Sequence, residues 1–147
     1  MPTQLGTDSD WAWLSAGTDH GLGLKRDGTL WSWGRGTYNA LGHGNTLNVA
    51  APQQVGTDTD WKQIAAKPNY SLAIKTDGSL WSWGYGSTNY PRMVGTDMDW
   101  RWISASAGHV IALKDDGSLW TWGDGTYGAL GHGNNASTTT LVELGTD

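Results

Sequence analysis

The 147-residue sequence has no cysteine and no phenylalanine, and only four prolines. Without cysteine there is no disulfide, no thiolate nucleophile and no thiolate metal ligand, and the redox compartment leaves no mark. Charge is sparse: 16% of residues are ionic, with 9 basic against 14 acidic side chains and a formal net charge of −5. The largest basic cluster is the pair Lys25-Arg26, which argues against a phosphate-neutralising surface and against nucleic acid as a partner. No apolar run approaches the roughly 18 residues of a membrane span, so no membrane partner is expected. Met1-Pro2-Thr3-Gln4 lacks the charged and apolar regions of a signal peptide, and the expected location is the cytoplasm or a virus particle built there. Helical periodicity is also missing, because Gly and β-favouring residues interrupt every candidate segment.

What is plentiful is tryptophan, eleven residues, together with five tyrosines and 22 glycines. The tryptophans are not scattered. Lys25-Arg26-Asp27-Gly28-Thr29-Leu30-Trp31-Ser32-Trp33-Gly34 returns as Lys75 to Gly84 and again as Lys114 to Gly123. Each copy reads as the tip and second strand of a β-hairpin, with Asp-Gly expected to supply both positive-φ positions of a type I′ turn. Period-2 alternation then puts both tryptophans on one strand face and Leu with Ser/Thr on the other. Burying one such indole, about 200 Å2 at about 25 cal/mol per Å2, is worth at most on the order of 5 kcal/mol, so packing is the first reading of all six.

Gly-Thr-Asp preceded by Leu or Val recurs with its glycine at residues 6, 56, 95 and 145, with spacings of 50, 39 and 50, so there are three repeats and the middle one is shortened. They run over about 9–58, 59–97 and 98–147, with 2–8 an extra outer-strand segment. Within each, Asp-Trp opens a first strand (Trp11, Trp61, Trp100), and a second strand begins at His20, Tyr70 or His109. The second strand carries large residues on one face and small ones on the other, which lets a neighbouring sheet approach closely. The Trp-x-Trp strand follows, and a Pro-led segment such as Pro52-Gln53-Gln54-Val55 is expected to start an edge strand, where a missing donor is tolerated. Repeats one and three insert Leu-Gly-His-Gly before that strand, and repeat two lacks it. The expected architecture is all-β: propeller blades of four antiparallel strands, three to the chain.

Trp-x-x-Ile-x-Ala, His-x-Leu-x-Leu-Lys-x-Asp-Gly-Thr-Leu-Trp-x-Trp-Gly, Leu-Gly-His-Gly and Pro-x-Gln-Val together resemble the repeat of the regulator of chromosome condensation family. The resemblance spans almost the whole chain and is nearest to bacterial and phage-type versions. It implies blades of a seven-bladed β-propeller, whose members include an exchange factor for a small GTPase and an inhibitor of β-lactamase. Three repeats cannot close such a ring. Either copies of this chain assemble, most simply two chains giving six blades, or the chain is a fragment of a longer array. Self-assembly as a homodimer is favoured because repeats need neighbours to bury their faces. One outer strand is then surplus, and residues 2–5 are the expected element to be displaced or exchanged.

Candidates for chemistry each have a structural counterpart. His20 and His109 share a position with Tyr70, which fits an amphipathic packing residue. His43 and His132 sit in Gly-flanked turns and can present an imidazole, but no convergent ligands accompany them, so no metal is expected. Asp-Trp and Asp-Gly carboxylates match turn duties at backbone N–H groups. No nucleophile elbow or triad order is present, and Gly34-Arg35-Gly36 has no following helix to hold phosphate. Neither catalytic residues nor a cofactor are expected. Trp13 and Trp102 align with Gln63, so the fold does not demand an indole there. They and the loop residues Tyr38, His43, Tyr127 and His132 are the candidate partner- or ligand-binding set. The expected function is a non-enzymatic scaffold for protein–protein interaction or assembly through blade-connecting loops. The alternative is a carbohydrate-binding lectin with one glycan site per repeat.

Overall fold

In the computed structural model, which describes residues 1, 4 and 6–145, each Trp-x-Trp segment is the third strand of a four-stranded antiparallel meander. Blade one comprises β1 (Trp11–Ala16), β2 (His20–Lys25), β3 (Leu30–Gly34) and β4 (Val49–Gln54). Blade two comprises β5 (Trp61–Lys67), β6 (Tyr70–Lys75), β7 (Leu80–Gly84) and the two-residue β8 (Arg92–Met93). Blade three comprises β9 (Trp100–Ala105), β10 (His109–Lys114), β11 (Leu119–Gly123) and β12 (Thr138–Glu143). Each sheet runs in sequence order from inner to outer strand. Single 3-10 turns at Thr37–Asn39 and Thr126–Gly128 are the only helical pieces among the described residues, and none is long and apolar enough to cross a membrane.

Two details of the sequence reading are corrected. The Asp-Gly turns are not type I′. Gly28, Gly78 and Gly117 have positive φ, but Asp27, Asp77 and Asp116 do not. The N–H of Gly28 reaches the Lys25 carbonyl at 3.0 Å, and the Lys25 N–H reaches the Thr29 carbonyl at 3.1 Å. This is the three-residue loop of a type I turn closed by a left-handed glycine bulge. Asp27 then makes the Asx bond to the Thr29 N–H at 3.0 Å, which needs no left-handed Asp. Second, Pro52 does not open its strand. It is the fourth residue of β4, an edge strand paired only with β3, so its missing donor still costs nothing. The surplus strand expected at residues 2–5 falls on positions that lie, apart from Gln4, outside the described residues.

Alternation on β3 and β7 is as the pattern implies: Leu30, Ser32, Leu80 and Ser82 are buried on one face, with the tryptophans on the other. The small face of β2 is filled by the blade's own indoles. A Cβ on Gly21 would stand 2.6 Å from the Trp33 ring, and one on Gly23 would stand 2.6 Å from Trp11. Trp11 meets Trp31 and Trp33 edge to face, both at 6.1 Å. Blades therefore have two distinct faces. The front presents Trp11, Leu14, Trp31 and Trp33 or their counterparts; the back presents Leu22, Leu24 and Leu30 or theirs. Back of one against front of the next makes the core: Leu22, Leu24 and Leu30 with Trp61, Ile64 and Trp83, then Leu72, Ile74 and Leu80 with Trp100 and Ile103.

The hairpin tips latch these layers. The carbonyl of Gly28 accepts the Trp61 N–H at 3.2 Å, and that of Gly78 accepts the Trp100 N–H at 3.0 Å. A Cβ would lie 2.0 Å from the Thr59 oxygen at Gly28 and 2.3 Å from the Met98 oxygen at Gly78, whereas at Gly117 it would meet nothing within 4 Å. All three glycines share the left-handed conformation that costs an L side chain about 1–2 kcal/mol. Gly28→Ala and Gly78→Ala are therefore expected to lower stability by at least about 1 kcal/mol more than Gly117→Ala. Urea melts of the three variants read this directly; equal losses would mean that the tips do not couple the blades.

Candidate functional site

The densest clusters of titratable groups are three copies of one arrangement. Lys75 Nζ lies 2.6 Å from Asp58 Oδ2 and 3.0 Å from Asp60 Oδ1, and 4.7 Å from the ring centroids of both Trp61 and Trp81. Lys25 does the same with Asp8, Asp10, Trp11 and Trp31, and Lys114 with Asp97, Asp99, Trp100 and Trp120. The Gly-Thr-Asp and Asp-Trp carboxylates therefore bind a lysine rather than only backbone N–H groups. Sequence reasoning missed this, although Lys stands before all three Asp-Gly turns. Every member serves to close its own blade, so the clusters are structural.

The histidines are likewise engaged. His20 Nε2 is 2.9 Å from Ser71 Oγ across the first blade interface, and burial lowers its pKa despite the nearby Asp19 charge. His43 Nε2 is 3.0 Å from Ser32 Oγ, and His132 Nε2 is 2.9 Å from Thr121 Oγ1. Those two rings pin the Leu-Gly-His-Gly turns onto the third strands, and partial burial lowers the pKa of His43. No group of three His, Cys, Asp or Glu side chains suited to a metal occurs among the described residues.

The remaining candidates fall into two separate groups. Trp13 and Trp102, on the inner strands of blades one and three, touch each other edge to face at 5.8 Å and are both half-exposed. Between them in sequence register, Gln63 is buried and bonds the Arg101 carbonyl at 3.2 Å and the Ile103 N–H at 3.1 Å. Tyr38 and Tyr127 instead follow the third strands, at the end of each sheet opposite the Asp-Gly tips. Trp13 pairs with Leu24 near the tip end, whereas Gly34 pairs with His20 at the other. Tyr38 lies against Tyr85 at 5.0 Å. Tyr85 was not singled out from the sequence; its signal was that it is the one aromatic residue at a position held by Arg35 and Asp124. Tyr38 and Tyr127 have φ of 62° and 60°, unusual for a bulky residue. Both nevertheless stay exposed, as does Tyr85.

Three consecutive four-stranded meanders stacked front to back define an arc of a β-propeller. The Regulator of chromosome condensation (RCC1) repeat matches residues 27–74 in one family model and residues 61–89 and 103–129 in a second. The chain belongs to this repeat family. Human WBSCR16 superposes with a TM-score of 0.87 at 22% identity, over 99% of this chain and 43% of that one. Saccharomyces cerevisiae Prp20p superposes with a TM-score of 0.81 at 21% identity, over 93% and 39%. Among curated proteins, the human E3 ubiquitin-protein ligase HERC2 is 40% identical over 40 residues, which is 27% of this chain and 1% of that protein. The chain thus spans less than half the length of each of these relatives.

The electrostatics predict a pH profile. Asp27 and Asp77 are held below the usual carboxylate pKa by the hydroxyl and then the N–H of Thr29 and Ser79, and Asp116 by the N–H and then the hydroxyl of Ser118. A depressed carboxyl stabilises above its unfolded pKa and loses that contribution as pH falls through the folded value, so stability should decline below about pH 4. For Lys75, burial opposes the charge, but the hydrogen bonds and charges of Asp58 and Asp60 outweigh it and the pKa is raised. That contribution is complete below about pH 10.4 and is lost at higher pH. Lys75→Met is expected to cost about 2 kcal/mol near neutral pH and to make the alkaline limb shallower. Thermal melts from pH 3 to about 11 test both limbs.

Proposed function

We propose that this chain is a non-enzymatic propeller scaffold that recognises a protein partner through the blade-connecting loops bearing Tyr38, Tyr85 and Tyr127. The observation that carries the reading is the backbone of Tyr38 and Tyr127. Two bulky residues are held in a left-handed conformation that costs about 1–3 kcal/mol each, with the Tyr127 ring in solvent and the Tyr38 ring against the exposed Tyr85 rather than in the core. Strain at the almost wholly exposed Tyr127 serves no core packing, and tyrosine is a favoured anchor of protein interfaces. Prp20p, described together with its binding properties to Gsp1p and histones, is a fold relative that engages proteins. Fold alone does not transfer its partners.

A glycan-binding reading has one observation in its favour, the half-exposed Trp13–Trp102 pair. The edge-to-face contact directs an edge of one ring at the face of the other, and the pair lies apart from the tyrosine loops. Both facts favour packing over sugar stacking.

A photo-crosslinking amino acid at Tyr85 or Tyr127, in cells producing the chain, is expected to give protein adducts that the same label at Asp77, on the tip side, does not. The Tyr38→Ala/Tyr85→Ala/Tyr127→Ala variant should bind the captured partner at least about 30-fold more weakly while melting as before. Equal labelling at both ends, or undiminished binding by the triple variant, would refute the reading. Binding on a glycan array that vanishes with Trp13→Ala/Trp102→Ala would replace it with the lectin.

A further inference from the structure

The chain contains two joints between blades, and a turn seals only the first of them at the loop end. There Ala40-Leu41-Gly42-His43 folds down between the back of blade one and the front of blade two. Leu41 is 1% exposed. The Ala40 carbonyl accepts the Trp83 indole N–H at 2.9 Å and the Ser71 hydroxyl at 2.9 Å, and the Leu41 carbonyl accepts the Ser32 hydroxyl at 2.7 Å. Gly42 passes so close that a Cβ would stand 2.9 Å from the Trp83 indole nitrogen and 3.1 Å from Val55, at a φ of 76° that itself favours glycine.

The second joint has the same walls but no such turn, because repeat two is the shortened one. Ser82 and Val94 of blade two stand where Ser32 and Val55 do, and Trp122 on the front of blade three stands where Trp83 does. Both walls belong to the chain. Trp83 and Val55 are 0% and 2% exposed, whereas Trp122 and Val94 are only partly buried. Ser82 is 5% exposed, yet among the described residues its hydroxyl lacks the carbonyl that Ser32 and Thr121 each find, and the Trp122 indole N–H lacks the one that Trp83 finds. The short loop of blade two does not lean over this notch. It is tied back toward blade one: the Asn89 carbonyl accepts the Gly44 N–H at 2.8 Å, and the Asn89 amide donates to the Gly44 carbonyl at 3.3 Å.

We propose that this notch binds a Leu-Gly turn of a partner protein, which supplies from outside what the blade-one loop supplies from within. The sealed joint fixes the chemistry of the occupant. Two successive backbone carbonyls accept the Trp122 indole N–H and the Ser82 hydroxyl. The leucine side chain takes the space between the blades that Leu41 fills in the first joint, and Val110, in the place of Ser71, makes that space more apolar. The glycine passes the Trp122 ring as Gly42 passes Trp83, where a side chain does not fit. A histidine after it closes on Ser82 as His43 does on Ser32. The proposal deepens the protein-partner reading by naming what the partner inserts, at the same end of the sheets as Tyr85 and Tyr127.

The probe is a cyclic peptide carrying Asn-Ala-Leu-Gly-His-Gly, its ring cutting the ordering cost of a free peptide. Titrated into the isotope-labelled chain, it is expected to shift the Trp122 indole N–H resonance saturably, with a dissociation constant below about 1 mM, and to leave that of Trp83 in place. Leu replaced by Asp, or the first Gly by Ala, in the peptide should weaken binding at least about tenfold. Ser82→Ala should weaken it about fivefold. A chain in which residues 85–91 give way to a second copy of residues 35–48 should melt higher and no longer bind, because its own turn then fills the notch. The Tyr38→Ala/Tyr85→Ala/Tyr127→Ala variant should bind the peptide as the wild type does, so failure of the tyrosine reading leaves this result intact. No saturable shift, equal affinity for the altered peptides, or a grafted chain that still binds would overturn the proposal. So would loss of the peptide by the tyrosine variant, or a Trp122 indole N–H that exchanges with solvent as slowly as that of Trp83. Should Ser82→Ala or the graft not fold, the altered peptides and the indole exchange decide the matter on the wild-type chain.

Discussion

A lysine held between two indoles and two carboxylates is the contact on which each blade depends. The lysine ends the second strand, its two aspartates lie on the segment that enters the first strand, and its two tryptophans sit on the first and third strands. One ammonium group therefore gathers the entry turn, the inner strand and the Trp-x-Trp strand at the same end of the sheet. Its side chain is largely buried while the carboxylates stay about half in water, so the charge is satisfied without taking all three ions out of solvent. Two electron-rich ring faces supply the rest of its coordination. A small sheet with no phenylalanine and no disulfide obtains a fixed geometry from this one polar node.

The node also explains how blades are joined. Asp58 and Asp60 follow the outer strand of blade one and grip the lysine of blade two, so the covalent crossover between blades is itself clamped. The glycine at the preceding tip then receives the N–H of the clamped tryptophan. Polar latch and apolar layer coincide, because both are set by where that tryptophan stands. A blade with no neighbour keeps its clamp but exposes half of its layer, as Leu14 and Leu119 do. The ends of the arc are thus well formed and uncovered at once.

Much of this was legible before any coordinates. The repeat count, the four-stranded meanders, the alternation of Trp-x-Trp and the family resemblance follow from identities returning at fixed spacing. The turn type was misread because Asp-Gly serves both a two-residue I′ turn and a type I turn with a glycine bulge, and only the hydrogen-bond register separates them. The candidate set of Trp13, Trp102, Tyr38, His43, Tyr127 and His132 was assembled from local context. Local context could not show that the tryptophans meet each other, that the tyrosines lie toward the opposite end of the sheets, or that the histidines are bonded to Ser32 and Thr121.

By itself the sequence determined which face of each strand is apolar and where the chain must turn, because these depend on spacing along one strand and on the conformational range of single residues. Tertiary structure alone decided what those faces meet. Gln63 replaces tryptophan at an inner position because it bridges to the next blade's backbone, and Ile64 is buried while Leu14 is not because, among the described residues, a blade packs on the front of the one and none on the front of the other. Burial is a property of neighbours, and in a repeat chain the same residue pattern meets different neighbours at its middle and at its ends.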